Sequence, residues 1–152
     1  MSREIKFRAW EKETTEPFPW KGAEQDECIL SIDNDGTIDA KSLDDVWGDH
    51  GEHSEWVDHD VEVEQFIGLQ DKNGKGIYEG DIIRFTEEDT ASFVGPVEYM
   101  ADDDYPAFDI PDKYIPEGFY IESNVISNGV ARGILEVIGN VHENPDLLEV
   151  KK

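Results

Sequence analysis

Hydrophobic positions along the chain recur mostly every second residue, which is the period of a strand with one buried face. Ile5, Phe7 and Ala9 alternate with Lys6 and Arg8 and predict a first strand. The run ILSIDNDGTIDA (29–40) reads as a hairpin, because Asp35-Gly36 separates two β-compatible runs and favours a tight turn. In VEVEQFIGL (61–69), Val61, Val63 and Gln65 alternate with acids before an apolar end. DIIRF (81–85), FVGPVEYM (93–100), AFDI (107–110), GFYI (118–121) and ILEVIGNV (134–141) predict further short strands separated by Gly, Pro, Asn and Asp. Helical signals are few. SLDDVWGD (42–49) has the outline of a capping box in Ser42 and Asp45 and predicts one helical turn, and NPDLLE (144–149) predicts a short helical tail. Two stretches lack a period: the polar segment from Lys12 to Gln25, where Phe18 and Trp20 bracket Pro19, and the His-rich, acidic segment from Gly48 to Asp60, read as an exposed loop. The expected fold is mainly β, with an N-terminal β-rich region over 1–65 and a small barrel over 66–152 that ends in the helical tail.

Composition sharpens this picture in one respect. The chain has 152 residues and only 38% apolar residues, yet it carries 4 Trp, 5 Tyr and 7 Phe, which places it among folded proteins rather than disordered acidic tails. Its net charge is −24. Self-repulsion of that size keeps a protein soluble and argues against direct contact with nucleic acid or anionic membranes, whose phosphates call for Lys and Arg. From Ser42 to Glu64 there are nine acids and no Lys or Arg, and from Phe85 to Asp112 again nine acids and none. Such stretches serve a cation, a basic partner or mimicry of DNA, or are simply solvated.

The single cysteine, Cys28, excludes an intramolecular disulfide and fits a cytosolic setting. Asp26 and Glu27 beside it disfavour a thiolate, so it reads as a core residue. The N-terminus MSREIKFRAW has no apolar targeting core, and no window approaches the length of a membrane span.

The segment DKNGKGIYEGDIIRF (71–85) is the densest in glycine and charge, and three chemistries fail on it. As a phosphate loop, Gly74-Lys75 is followed by Gly76 and Ile77, so the Mg²⁺-holding hydroxyl is missing. As a dinucleotide fingerprint, the glycine spacing is wrong and a strand follows instead of a helix. As a calcium loop, Lys75 and Ile82 occupy positions that require oxygen ligands. A hairpin accounts for more of the residues: Asn73-Gly74 as a two-residue type I′ turn, with Lys72 facing Lys75, Leu69 pairing with Tyr78 and Gln70 with Ile77, and Gly80-Asp81 turning the chain into DIIRF.

His50, His53 and His59 stand among Asp and Glu, and a zinc or nickel site is one reading of them. No framework for such ligands is visible, and His142 reads as a surface residue. There is no Gly-x-Ser-x-Gly, no Cys paired with His and no His-Glu-x-x-His, so no residue is assigned as catalytic, cofactor-binding or metal-binding. Trp47, Trp56, Phe93 and Tyr105 are the aromatic candidates for partner contact, against the simpler reading of core residues.

Three blocks, IKFRAWEKE (5–13), FIGLQDKNGKGIYEGDIIRF (66–85) and EVIGNVHENPDLL (136–148), resemble in order and content the YopX family of phage and prophage proteins. Gly76 and His142 depart from it, where the family often has Glu and Tyr. The resemblance implies a β-rich fold with an SH3-like barrel in the C-terminal half and a place in the bacterial cytoplasm during infection; it carries no catalytic residue and no cofactor across. The expectation is a non-enzymatic accessory protein acting through protein contacts, alone or as a homo-oligomer, without nucleic-acid or membrane binding. The alternatives are an acidic DNA mimic that inhibits a host nucleic-acid-binding protein, and a metal-dependent enzyme built on His50, His53 and His59.

Overall fold

A computed structural model of the chain describes residues 4–14, 16–18, 28–48, 51–87, 92–119 and 124–149, with the side chain of Val46 excepted. The fold is mainly β, and the chain divides into two compact units, Arg8–Val63 and Met1–Phe7 with Glu64–Lys152.

In the first unit, strand β1 (Phe7–Glu11) precedes an antiparallel sheet of order β2-β3-β4, formed by β2 (Cys28–Ile32), β3 (Ile38–Gly48) and β4 (Gly51–His59). The expected hairpin at Asp35-Gly36 forms: Gly36 has φ +86°, and the Asp35 carboxylate accepts the Thr37 N–H. Two expectations fail here. SLDDVWGD is not a helical turn but the distal half of β3 as far as it is described, and the His-rich segment is not a loop but β4 from Gly51 onward; His50 and Asp49 lie outside the described residues. The reason is the ladder itself, which pairs residues from Ala40↔His59 to Gly48↔Gly51. A run of backbone hydrogen bonds outweighs a capping box that offers only one or two. A small core of Ala9, Phe18, Ala40 and Val61, with Cys28, Leu30 and Val63 against it, lies on one face of this unit. Ile5, expected on the buried side of the first strand, is exposed.

The second unit takes up the chain within β5 (Val61–Gln70), followed by β6 (Gly76–Tyr78), β7 (Asp81–Phe85), β8 (Phe93–Pro96), β9 (Glu98–Tyr99), β10 (Phe108–Asp109), helix α1 (Val125–Arg132) and β11 (Leu135–Asn140), with a 3₁₀ turn at Pro145–Leu148 as the expected tail. β7 is the central strand of an antiparallel sheet of order β11-β7-β8, and β9 pairs with β10. Ile82 and Ile83 point to opposite faces of β7 and are both fully buried, so this strand is covered on both sides. The core gathers Ile77, Ile83, Phe85, Phe93, Val97, Ile110, Ile126 and Leu135. Phe85, Phe93 and Phe119 form an aromatic cluster with ring centroids 5.1–5.4 Å apart. The buried rings of Phe85 and Phe93 are each worth about 1.5–3 kcal/mol of apolar transfer, and Phe119 is partly buried against them. Among the described residues these sheets do not close into a barrel.

Helix α1 was not expected, because VISNGVAR is rich in β-branched residues and carries a central glycine. Packing explains that glycine: a Cβ on Gly129 would lie 2.9 Å from the Phe85 ring. The termini did carry signals, since the Asn124 side chain accepts the Ser127 N–H as an N-cap and Gly133 closes the helix in the left-handed region. GFYI is not a strand at Gly118 and Phe119; Tyr120 and Ile121 lie outside the described residues.

The 71–75 hairpin forms, with a different register. The pairs are Phe66↔Tyr78 and Gln70↔Gly76, a step of four residues on β5 against two on β6, with a bulge at Gly68 (φ +95°). Of Asn73-Gly74 only Gly74 has positive φ, so the turn is not type I′, and the Asp71 carboxylate holds it instead by accepting the N–H groups of Asn73 and Lys75, each at 2.9 Å.

Candidate functional site

Buried carboxylates are the first place to look for chemistry, and the described residues include four: Glu64, Asp71, Asp81 and Asp109. Each is a structural fastener. Besides holding its turn, Asp71 accepts the Val137 N–H at 2.9 Å. Burial alone would raise its pKa, but the hydrogen bonds from Val137, Lys75 and Asn73 outweigh that and lower it. Asp81 accepts the Tyr78 N–H across the β6–β7 turn. Asp109 accepts the N–H groups of Ile110, Val125 and Ile126, so a carboxylate already fills the N-terminus of α1. Glu64 meets His142 at 3.1 Å, with only 4% and 12% of the two side chains exposed. His142 is therefore a half-buried partner and not a surface residue, and Glu64 is buried where the alternation of β5 placed an exposed acid.

The histidine cluster does not assemble. His53 and His59 lie six residues apart on β4, with side chains to the same face, and His50 is outside the described residues. Six residues of strand span about 20 Å, too far for one ion. Among the described residues no three His, Cys, Asp or Glu side chains are grouped to hold a metal. Exposed His53 meets Glu55 at 2.6 Å, and that carboxylate, with the Gly51 carbonyl, raises its pKa.

His59 has a more suggestive setting. Its Nδ1 lies 2.5 Å from Glu11 Oε1 and its Nε2 2.6 Å from Ser42 Oγ, while its ring packs 5.1 Å from that of Phe18. This is the order of a hydrolytic triad. Two observations argue for a fastener. Ser42 sits in the middle of the central strand, paired with Cys28 on one side and Val57 on the other, so the backbone there is committed to ladders and offers no oxyanion donors. Ser42 Oγ also lies 3.0 Å from Asp44 Oδ1. Ser42 donates its hydroxyl proton to Asp44, so that proton points away from His59 and the imidazole is not placed to take it. Sequence reasoning missed this cluster because it read Ser42 as a helix cap and nothing marked Glu11.

The exposed face of the β2-β3-β4 sheet is the most unusual surface. The core-facing side chains include Leu30, Ala40 and His59, so the alternate residues face outward. Opposed positions put Ile29 beside Lys41 and Asp58, Leu43 beside Trp56, Asp45 beside Ser54 and Trp47 beside Glu52. Trp47 is 80% exposed, and Trp56 46%. Of the other aromatic candidates, Tyr105 is partly exposed and Phe93 is core. Carboxylates of Asp39, Asp45, Glu52 and Asp58 surround the apolar positions, and among the described residues of this face the one cation is Lys41, which lies 3.7–3.8 Å from Asp39 and Asp58. On the opposite face Asp44 and Glu55 stand directly across from one another, so acids occupy both sides of this hairpin.

In the second unit, a groove of about 410 Å³ is lined by Glu4, Phe66, Glu79, Tyr99 and Phe108, with the backbone around the Gly68 bulge. A second hollow of about 630 Å³ beside α1 is lined by Tyr105, Asp109, Asp112 and Glu117 among others.

The model of the YopX protein family matches residues 6–149. The chain belongs to the YopX family. Its fold is similar to two solved structures. Protein EF1440 from Enterococcus faecalis is 24% identical, with a TM-score of 0.57 over 97% of this chain and 100% of that one. Protein yopX from Bacillus subtilis is 22% identical, with a TM-score of 0.51 over 94% and 97%. No curated protein matches by sequence. Several hydrogen bonds of the second unit join the three blocks that carry the family likeness. Asp71 of the central block binds Val137 of the last; the Val141 N–H donates to the Gly80 carbonyl; Phe66 N–H donates to Lys6 O of the first block. In this chain those blocks are architecture, joined to one another by backbone and carboxylate hydrogen bonds.

Proposed function

We propose that the chain is a phage or prophage accessory protein that works by protein contact, docking the outward face of its β2-β3-β4 sheet onto a basic partner. The observation that carries this reading is the exposure of Trp47 and Trp56 on one sheet face with carboxylates around them. A tryptophan contributes about 150–250 Å² to a contact and is the residue type most enriched at binding hot spots. An acidic surround speeds encounter with a basic surface and selects against acidic ones. The reading includes action in the bacterial cytoplasm, and a C-terminal unit derived from an SH3-like barrel, supported by the central position of β7 between β8 and β11. DNA mimicry fits less well, since Asp44 and Glu55 project to the face opposite Asp45 and Glu52.

The test is recovery of bound proteins from infected host lysate by the wild type and by the W47S/W56S variant, at low and at high salt. A partner retained by the wild type and lost by the variant, with unchanged far-UV circular dichroism, supports the reading. Identical recoveries, or a partner lost only with salt, refute it; sedimentation of both proteins shows whether the partner is a second copy.

A further inference from the structure

The outer edge of β4 is an open hydrogen-bonding rim, and the phase of the sheet fixes which residues face it. Asp33 N–H donates to Thr37 O, so this pair closes the β2–β3 turn with a bond, and from it the bonded pairs alternate down the ladder as Ser31↔Asp39 and Ile29↔Lys41. Asp39 and Lys41 therefore turn their backbone groups to β2. The even residues of β3 turn theirs to β4, through Ala40↔His59, Ser42↔Val57, Asp44↔Glu55 and Val46↔His53. On β4 this leaves Glu52, Ser54, Trp56 and Asp58 with N–H and C=O groups pointing away from the sheet. Among the described residues no strand pairs with β4 on that side, and no backbone hydrogen bond reaches those four. From Glu52 to Trp56 every residue is exposed, so neither face is covered either. One step beyond, on the same edge, the chain itself places a basic residue: Lys12 N–H donates to Asp60 O at 3.0 Å, and Lys12 Nζ lies 3.1 Å from Asp60 Oδ1.

We propose that this edge takes up an extended basic segment of a protein partner as an added strand. The inference rests on the basic partner proposed for this sheet and names how it is held, by backbone bonds along β4 beside the Trp47 face. Strand addition draws its affinity from main-chain hydrogen bonds and its selectivity from alternate side chains. The selection here is by charge. Two β4 edges brought together would set acid against acid, since each carries Glu52, Glu55 and Asp58, and this guards the edge against a second copy. Asp58 already has Lys41 nearby and Glu55 meets His53, so the attraction for a basic strand rests on Glu52 and on the net charge of −24.

The experiment follows amide exchange with water in the ¹⁵N-labelled full chain at 0.15 M salt, alone and with a ten-residue peptide of alternating lysine and valine. In the free chain the amides of Glu52, Ser54, Trp56 and Asp58 are expected to exchange fast, and those of His53, Glu55 and Val57 slowly. The peptide is expected to slow the first four by about fivefold or more, and a glutamate–valine peptide to leave them unchanged. Ser54→Pro removes one outward N–H without touching the β3 ladder, since proline is tolerated on an edge strand where the N–H faces solvent. It is expected to weaken the lysine–valine peptide about fivefold or more with unchanged far-UV circular dichroism, while Ser54→Ala, which loses the same hydroxyl, binds as the wild type does. Slow exchange of the four amides in the free chain, no binding, binding that leaves them unprotected, or equal binding by Ser54→Pro overturns the proposal. A lysate partner lost by W47S/W56S but kept by Ser54→Pro would sink the added strand and leave the Trp47 face standing. A partner lost by Ser54→Pro but kept by W47S/W56S would support the added strand and sink the Trp47 face.

Discussion

Replacing Asp71 by asparagine tests whether a single buried carboxylate fastens the 71–75 turn to β11. The aspartate accepts three backbone N–H groups: Asn73 and Lys75 on one oxygen, Val137 on the other, each at 2.9 Å. Asparagine keeps one acceptor oxygen for the turn but presents an NH₂ group to the Val137 N–H, donor against donor. The loss is one hydrogen bond to a charged group, about 1.5–3 kcal/mol, together with a buried donor left unpaired, about 1–3 kcal/mol. Removing one of the 37 acids also relieves self-repulsion, a small gain that acts in the opposite sense. The net expectation is about 2–4 kcal/mol of lost stability at pH 7. With a urea slope of about 2 kcal/mol per molar, the middle of the usual range, the midpoint falls by about 1–2 M. An exposed control, Asp45→Asn, relieves the same charge without the loss. Because the folded pKa of Asp71 is lowered, its contribution is present above the unfolded value of 3.8 and is lost as pH falls through the folded pKa. The gap between wild type and Asp71→Asn is therefore expected to narrow as the pH is taken below about 4. A variant within about 0.5 kcal/mol of wild type at pH 7, or a gap that widens with acid, refutes the reasoning.

Two further substitutions probe neighbouring claims. Gly80→Ala combines a backbone held at φ +83° with a Cβ only 1.9 Å from Glu64 Oε2, so it is expected to cost about 2–4 kcal/mol in urea unfolding, against about 1–2 kcal/mol for Gly36→Ala, where φ is +86° but the space is open. For His53, Glu55→Gln removes the main group that raises its pKa, and the midpoint of the His53 ring signal in an NMR pH titration is expected to move down; an unchanged midpoint contradicts the contact.

Local patterns in the sequence were sufficient for much of the scaffold. Period-two runs located β1, β2, β5, β7 and β11, and Gly36, Gly74 and Gly80 were recognisable as turn positions, all with positive φ in the structure. The family blocks were legible for the same reason, being made of turn glycines and strand residues whose demands are local. What local pattern could not convey was pairing. Ser42–Gly48 had the outline of a helix cap and Gly51–His59 the composition of a loop, and each became a strand because the other lay opposite it. The fate of the charged groups was likewise decided at a distance: Asp71 is bonded to an amide 66 residues away, and Glu64 to an imidazole 78 residues away. A carboxylate far along the chain from its donors has the same sequence signature as a solvated one. Sequence determined the elements whose stability rests on neighbours in the chain. Tertiary structure alone decided which acids became fasteners and which aromatics stayed in water, since both outcomes depend on what surface arrives to cover them.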